Sequence, residues 1–235
     1  MILLDIEGTT TPIAFVTETL VPYARLHLRP FLERHGNAAE YADLFERFRR
    51  EHASDAQAHL PVPPWSGQAT AARASVERYA EWLMDHDRKS TALKELQGYI
   101  WEEGYESGEL VAPVYPDVVD ALQRWSEADR PVGIFSSGSV LAQRWLFRRS
   151  TAGDLTPRLR WYFDTVTGPK QDAASYTRIA AEAAHDPASI LFISDVLAEL
   201  DAALAAGMQT TMCVRPGNRP QPDHDHRVVS SFAEL

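Results

Sequence analysis

The feature that most constrains this chain is an alternation that begins near residue 111. Short apolar runs, Val132-Gly133-Ile134-Phe135, Phe163-Asp164-Thr165-Val166, Ile190-Leu191-Phe192-Ile193 and Thr210-Thr211-Met212-Cys213-Val214, are separated by stretches with helical spacing at 117–128, 139–149, 171–184 and 197–206. Runs this short between helical patterns read as buried strands, and strands alternating with helices imply a parallel sheet with right-handed crossovers. Met1 to Leu4 is one more such run. Asp117, after Pro116, is expected to cap one helix, and Gly207 to end another at C′.

Residues 17–106 follow a different pattern. Leu20, Tyr23, Ala24, Leu28 and Phe31 recur at helical spacing, as do Tyr41, Leu44, Phe45 and Phe48, then Val76, Tyr79, Ala80 and Leu83, then Leu93, Leu96 and Ile100. Pro61-Val62-Pro63-Pro64 cannot be helix interior and reads as a loop between helical pairs. The helical block therefore looks inserted after the first strand of an α/β domain. Arg215 to Arg227, rich in Pro, Asp and His, reads as a loop before a short final element.

In an open α/β sheet, ligands bind beyond the carboxyl ends of the strands. Met1–Leu4 runs into Asp5-Ile6-Glu7-Gly8-Thr9-Thr10, and Val132–Phe135 into Ser136-Ser137-Gly138-Ser139. Phe163–Val166 runs into Thr167-Gly168-Pro169-Lys170, and Ile190–Ile193 into Ser194-Asp195. Alone, each is a turn, cap or solvated residue; in this order, all at one edge, they form a coherent set. Carboxylates crowded in one crevice call for a cation, and hard oxygens suit Mg²⁺. Small hydroxyls at a helix start offer donors to an anion, and Lys170 adds a positive charge for phosphate oxygens. A carboxylate can attack phosphorus covalently. The set reads as a phosphoryl-transfer site.

Composition narrows the partners. Lys and Arg total 23 against 33 Asp and Glu, a net charge of −10, which offers no general basic field for nucleic acid. No apolar run approaches the roughly 18 residues of a membrane span. Asp5 comes too early for a signal peptide, and the single cysteine, Cys213, fits a reducing compartment. A cytoplasmic monomer is expected.

The order Asp-x-Glu-Gly-Thr, Ser-Ser-Gly, Gly-x-Lys and a post-strand Asp resembles the haloacid dehalogenase-like hydrolase superfamily. Within it, Asp5-Ile-Glu-Gly-Thr-Thr, Asp87-Arg-Lys-Ser-Thr-Ala-Leu-Lys-Glu-Leu-Gln-Gly98, Phe135-Ser-Ser-Gly-Ser139 and Val214-Arg-Pro-Gly-Asn218 are similar to the bifunctional enolase-phosphatases (acireductone synthases) of methionine salvage. The resemblance spans essentially the whole chain. Glu at the second acidic position is unusual among relatives, most of which have Asp there. The Asp-Arg-Lys stretch discriminates best, because the inserted block otherwise diverges.

The resemblance implies a Rossmann-like α/β fold: a parallel-sheet core over 1–12 and 108–235, with an inserted all-helical cap domain over 13–107. It implies enolisation of 2,3-diketo-5-methylthiopentyl-1-phosphate and then dephosphorylation to the acireductone, with one Mg²⁺ per subunit. Asp5 would be nucleophile and metal ligand. Glu7 would be general acid/base and help hold the metal, through its backbone carbonyl in one version, and Asp195 would complete the metal site. Ser136, Ser137 and Lys170 would hold the phosphate. Glu199, four residues after Asp195, would either support the metal ligands from behind or be a helix-start acid favoured by the dipole. A longer Glu7 could reach a carbon proton that Asp could not. The alternatives are a superfamily phosphatase for another small phosphorylated metabolite, a metal-free dehalogenase that leaves Glu7 and Asp195 unexplained, and a non-catalytic phosphometabolite sensor.

Other features read as structural. Asp223-His224-Asp225-His226 looks like a metal cluster but follows Pro220 and Pro222 in a tail loop. Cys213 lies in an apolar run and reads as core, Arg47, Arg49 and Arg50 as a solvated helix face, and the six tryptophans as packing.

Overall fold

The computed structural model describes residues 1–66 and 69–235. The sheet is built from β1 (Ile2–Leu4), β2 (Val132–Phe135), β3 (Trp161–Phe163), β4 (Leu191–Ser194), β5 (Gln209–Cys213) and β6 (Arg227–Val229), in the order β3-β2-β1-β4-β5-β6. Every pairing is parallel. The helices are α1 (Val21–His35), α2 (Ala42–Gln57), α3 (Ala69–Asp85) and α4 (Thr91–Ser107), then α5 (Pro116–Glu127), α6 (Val140–Arg148), α7 (Ala173–Glu182) and α8 (Leu197–Ala205). Among the described residues no helix is long and apolar enough to cross a membrane.

The central strands β1, β2 and β4 are apolar up to their carboxyl ends because both faces of the sheet are covered there. Leu3, Phe135, Phe163, Phe192 and Met212 share one core cluster with Tyr176 and Ile179 of α7 and Leu200 and Ala203 of α8. Alternate strand residues point the other way, and there Ile2, Leu4, Ile134 and Ile193 are also fully buried. Ser139 caps α6 by accepting from the Ala142 amide, and Asp172 caps α7 by accepting from Ala174. Gly207 follows α8 with φ +88°, the left-handed C′ residue expected there.

The chain separates into two compact units, Met1–Thr19 with Tyr105–Leu235, and Leu20–Gly104. The inner unit is shorter at both ends than the expected 13–107. Its core joins Ala24, Leu28 and Phe31 of α1, Leu44 and Phe48 of α2, Val76, Tyr79 and Leu83 of α3, and Leu93, Leu96 and Ile100 of α4. These are the residues whose spacing predicts the helices. The proline stretch at 61–64 carries no regular element.

Two local expectations are corrected. The third strand is Trp161–Phe163, not 163–166. Asp164 ends it by folding back: its side chain accepts from the Val166 amide at 2.8 Å and its carbonyl from Thr167 at 3.0 Å, leaving Val166 93% exposed. Asp117 is not an N-cap either. Tyr115 occupies that position and Pro116 follows at the first helical position. The Asp117 carboxylate turns instead to Arg215 Nη2 (2.8 Å), the Phe232 amide (2.7 Å) and the Ser231 hydroxyl (3.1 Å). Arg215, placed by sequence at the start of a loop, is buried, and the loop is followed by β6, a sixth parallel strand, and then by a short 3-10 turn at Phe232–Glu234.

Candidate active site

Strand order reverses at β1. The chain builds outward to β2 and β3, then returns to place β4 on the other side of β1. A crevice opens at the carboxyl ends at such a switch point. The ends are level, since Leu4 is in register with Ile134 and Ile193. The residues immediately after β1, β2 and β4 therefore leave the sheet at one edge.

Asp5 is the first residue beyond β1, and its N–H donates to Ile193 O at 3.0 Å. Lys170 reaches it from the turn after β3. Its Nζ lies 2.5 Å from Asp5 Oδ1 and 2.6 Å from Glu199 Oε2, with all three side chains about nine-tenths or more buried. The turn that carries Lys170 is pinned from α7: Ser175 Oγ donates to Pro169 O (2.8 Å), Tyr176 OH to Lys170 O (2.7 Å) and Arg178 Nε to Thr167 O (2.6 Å). Gly168, at φ +143°, makes the close approach possible. A Cβ there would lie 2.3 Å from both Arg178 Nη2 and Ser175 Oγ.

Asp195, just after β4, is buried. Glu7 is half-buried in the loop after Asp5, close enough for its charge to act on Lys170 and Asp195. Ser136, just after β2, is buried. Its amide donates to Phe163 O at 3.2 Å and its hydroxyl accepts from the Gly138 amide at 3.1 Å. Ser137 beside it is exposed. Asp5, Lys170 and Glu199 thus meet directly, Asp195 and Glu7 lie within their electrostatic reach, and Ser136 and Ser137 share the edge.

The charges do not balance. Burial would lower the Lys170 ammonium pKa, but Asp5, Glu199 and Glu7 outweigh it and hold that pKa above the ordinary lysine value. Asp195 is pushed up to about 7, first by burial and then by the Asp5 charge. Glu199 is also pushed up to about 7 by burial and Asp5, against Lys170 and the 2.9 Å hydrogen bond from Ser194 Oγ. One ammonium among so many carboxylates leaves negative charge uncompensated. The remaining donors are hard oxygens, which suit Mg²⁺. Among the described residues no three His, Cys, Asp or Glu side chains are arranged to hold a metal by themselves. A cation here would draw on Asp5 and Asp195 together with carbonyl oxygens, phosphate and water, the mixed set that Mg²⁺ favours. Asn218 Oδ1 is buried without a hydrogen-bond partner near Asp195.

Several contributors went unread in the sequence. Gln143 Nε2 donates to Gly138 O (2.9 Å) and Phe163 O (2.8 Å), tying the Ser136–Ser139 turn to the end of β3. Its signal was available, because it is a polar residue on the buried stripe of α6 with Leu146 and Phe147. Tyr176 carried no such mark, and Asn218, which closes the Val214–Asn218 motif, was assigned no role by it. Glu199, open between two readings, is buried against Lys170 and Ser194.

The tail histidines form no metal cluster. His226 is taken up by Asp201 (2.9 Å) and Thr210 (2.7 Å), with the His224 ring 5.5 Å away. Cys213 is buried, and burial pushes its thiol up to about 11. Arg47 pairs with Glu95, and Arg49 and Arg50 with Glu46.

A family model for haloacid dehalogenase-like hydrolases matches residues 1–207. The chain belongs to the haloacid dehalogenase-like hydrolases. Among these hydrolases, Enolase-phosphatase E1 of Synechococcus elongatus is 50% identical over 234 residues, covering 100% of this chain and 96% of its own. Enolase-phosphatase E1 of Azotobacter vinelandii is 46% identical over 237 residues, with 100% and 96% covered. The solved structure of the UTR4 protein of Saccharomyces cerevisiae superposes with a TM-score of 0.78 at 34% identity, covering 100% of this hydrolase and 99% of that chain. Identity of this degree over full length places the hydrolase with the enolase-phosphatases.

Proposed function

We propose that this hydrolase is a Mg²⁺-dependent enolase-phosphatase of L-methionine salvage. It converts 2,3-diketo-5-methylthiopentyl-1-phosphate to its enol and then to the acireductone, 1,2-dihydroxy-3-keto-5-methylthiopentene, plus phosphate. The observation that carries this reading is the Lys170 ammonium seated on the Asp5 carboxylate at the carboxyl edge of the sheet, in a chain 50% identical over full length to an enolase-phosphatase.

In the enolisation, the Glu7 carboxylate takes a proton from the carbon bearing the phosphate ester. The C–H electron pair becomes the new C=C bond, the neighbouring carbonyl π pair moves to its oxygen, and that oxygen takes a proton from solvent while Glu7 keeps the carbon proton. In the dephosphorylation, Asp5 attacks phosphorus, the ester P–O bond breaks, and protonated Glu7 gives its proton to the leaving oxygen. Glu7 then takes a proton from water. That water attacks phosphorus, the bond to Asp5 breaks, and phosphate departs. Lys170 neutralises phosphoryl charge, as do the donors of Ser136 and Ser137. Asp5, Asp195 and the Glu7 backbone would hold Mg²⁺, one per subunit, which supplies further positive charge against the phosphoryl oxygens. We assign the helical unit the role of a cap.

The test is a Mg²⁺-dependent assay on the diketo phosphate that reads enol absorbance and phosphate release together. Both signals are expected. Phosphate release with no enol would leave a phosphatase for another small phosphorylated metabolite, and binding without turnover would leave a sensor.

A further inference from the structure

We infer that Asn218 is a positioning residue for the divalent cation, its side-chain oxygen belonging to the oxygen set around the ion beside Asp195. The inference rests on the Mg²⁺-dependent reading above and adds a residue to it.

Asn218 lies in the turn after β5 and reaches back across the site. Its Nδ2 donates to Gly8 O at 2.9 Å and to Cys213 O at 3.3 Å. Two carbonyl acceptors on one side fix which end of the amide is nitrogen. The other end, Oδ1, is buried and has no hydrogen-bond partner. A buried amide oxygen left without a donor is costly, and such groups call for an explanation.

Gly8 shows where that oxygen faces. A methyl group on Gly8 would sit 2.8 Å from Asn218 Oδ1 and 2.5 Å from Asp195 Oδ2. The two oxygens therefore flank the same side of Gly8, in the loop that carries Asp5 and Glu7. Both are acceptors, so together they are unfavourable unless something electron-poor lies with them. No three acidic or imidazole side chains among the described residues can hold a metal unaided. A neutral amide oxygen is a ligand type suited to hard cations. It adds coordination without adding charge to a site already crowded with carboxylates. Gly8 itself, at φ +74°, has its N–H on Thr11 O at 2.8 Å and its carbonyl on Asn218, so the same side chain also fixes the loop.

A purely structural role, tying Gly8 to the end of β5, predicts something different, and calorimetry separates the two. Mg²⁺ is titrated into the full-length chain without substrate, and melting temperatures are recorded with and without Mg²⁺. Asn218→Ala is expected to weaken Mg²⁺ binding by about tenfold or more and to shrink the Mg²⁺-induced rise in Tm, as loss of groups around a metal does. Asn218→Asp keeps an oxygen and loses the Nδ2 donors. It is expected to retain Mg²⁺ affinity within about threefold of the parent or to exceed it, while its metal-free Tm falls. A merely structural Asn218 lowers the metal-free Tm of both variants and leaves both Mg²⁺ affinities at the parent value, which would overturn the inference. If Asn218→Ala does not fold, the Asp variant decides, because a tenfold loss there contradicts a role for the oxygen. Absence of Mg²⁺ binding by the parent would overturn the functional reading as well. Parent binding that survives Asn218→Ala overturns this inference alone.

Discussion

The ammonium of Lys170 lies 2.5 Å from the Asp5 carboxylate, although the two residues are 165 positions apart in the chain. Lys170→Gln would leave Asp5 and Glu199 as buried like charges with no cation between them. Phosphate release should fall by about 10²–10³-fold, the loss typical when a charge-stabilising donor is removed. Unfolding in urea should show a loss of about 3–5 kcal/mol, the cost of breaking a buried pair from one side. Lys170→Arg should not rescue turnover, because a planar guanidinium does not replace a compact ammonium. A Gln variant within about tenfold of the parent rate would remove Lys170 from phosphate handling.

Glu7 is assigned both proton transfers, and the assignment is testable because the two transfers have different reach. Glu7→Asp keeps the carboxylate but withdraws it by one methylene. Enol formation, followed by absorbance, should fall by about 10²-fold or more, the usual worth of a positioned general base. Phosphate release from enol supplied in advance should fall less. Equal losses in both steps would assign the carbon proton to another base.

Gly168 holds the Lys170 turn against α7, and its substitution can be compared with a glycine that has positive φ but open space. Gly108 has φ +81° with nothing within 4 Å of an added methyl group, whereas Gly168 has φ +143° and two atoms at 2.3 Å. Gly108→Ala should cost about 1 kcal/mol from backbone strain alone. Gly168→Ala should cost more, about 2–4 kcal/mol with crowding added, and should lower turnover by moving Lys170. Chemical denaturation of the pair measures the difference. Equal costs would mean the turn can relax away from Ser175 and Arg178.

Asp117 binds the carboxyl-terminal part of the chain to α5. Burial opposes its ionisation, but Arg215, the Phe232 amide and the Ser231 hydroxyl outweigh that and hold its carboxyl below the ordinary 3.8. An acid with a depressed native pKa contributes stability that is present above 3.8 and lost as pH falls through its native value. Asp117→Asn should destabilise the protein at neutral pH by about 2–4 kcal/mol, since it leaves buried Arg215 without its carboxylate. The gap between parent and variant should narrow below the ordinary carboxylate range. A gap that persists in acid would mean the carboxylate charge contributes nothing.

The sheet edge was legible because each strand is a short apolar run that stops at a polar residue. Asp5, Ser136 and Asp195 could be placed by counting from those stops. Lys170 was placed despite an error in its strand. The run at 163–166 includes Val166, which is exposed, and omits Trp161 and Tyr162, the aromatic residues that form β3. Periodicity treats Asp164 as one polar position in a run, whereas its side chain closes a turn and ends the strand. Contacts across long separations had no local mark. Asp117 reads as a cap, but its partner Arg215 is 98 residues away, and Asn218 reaches Gly8 across 210. The helical unit was the easier half, because its core residues recur at helical spacing within each helix.

Removal of the cation should change how stability depends on pH. Asp195 moves from an ordinary 3.8 to about 7 in the fold, and Glu199 from 4.5 to about 7. Acids that are harder to ionise in the native state bind more protons there than in the unfolded chain. Metal-free stability should therefore fall as pH rises from the ordinary carboxylate range to about 7, and level off above it. Mg²⁺ favours the ionised carboxylates, so the rise in Tm that it produces should be small near pH 5 and larger near pH 8. Melts at the two pH values, with chelator and with Mg²⁺, measure this. Asp195→Asn should flatten the metal-free slope and abolish most of the Mg²⁺ effect. A Mg²⁺-induced shift of the same size at both pH values would show that ion binding does not draw on these crowded acids.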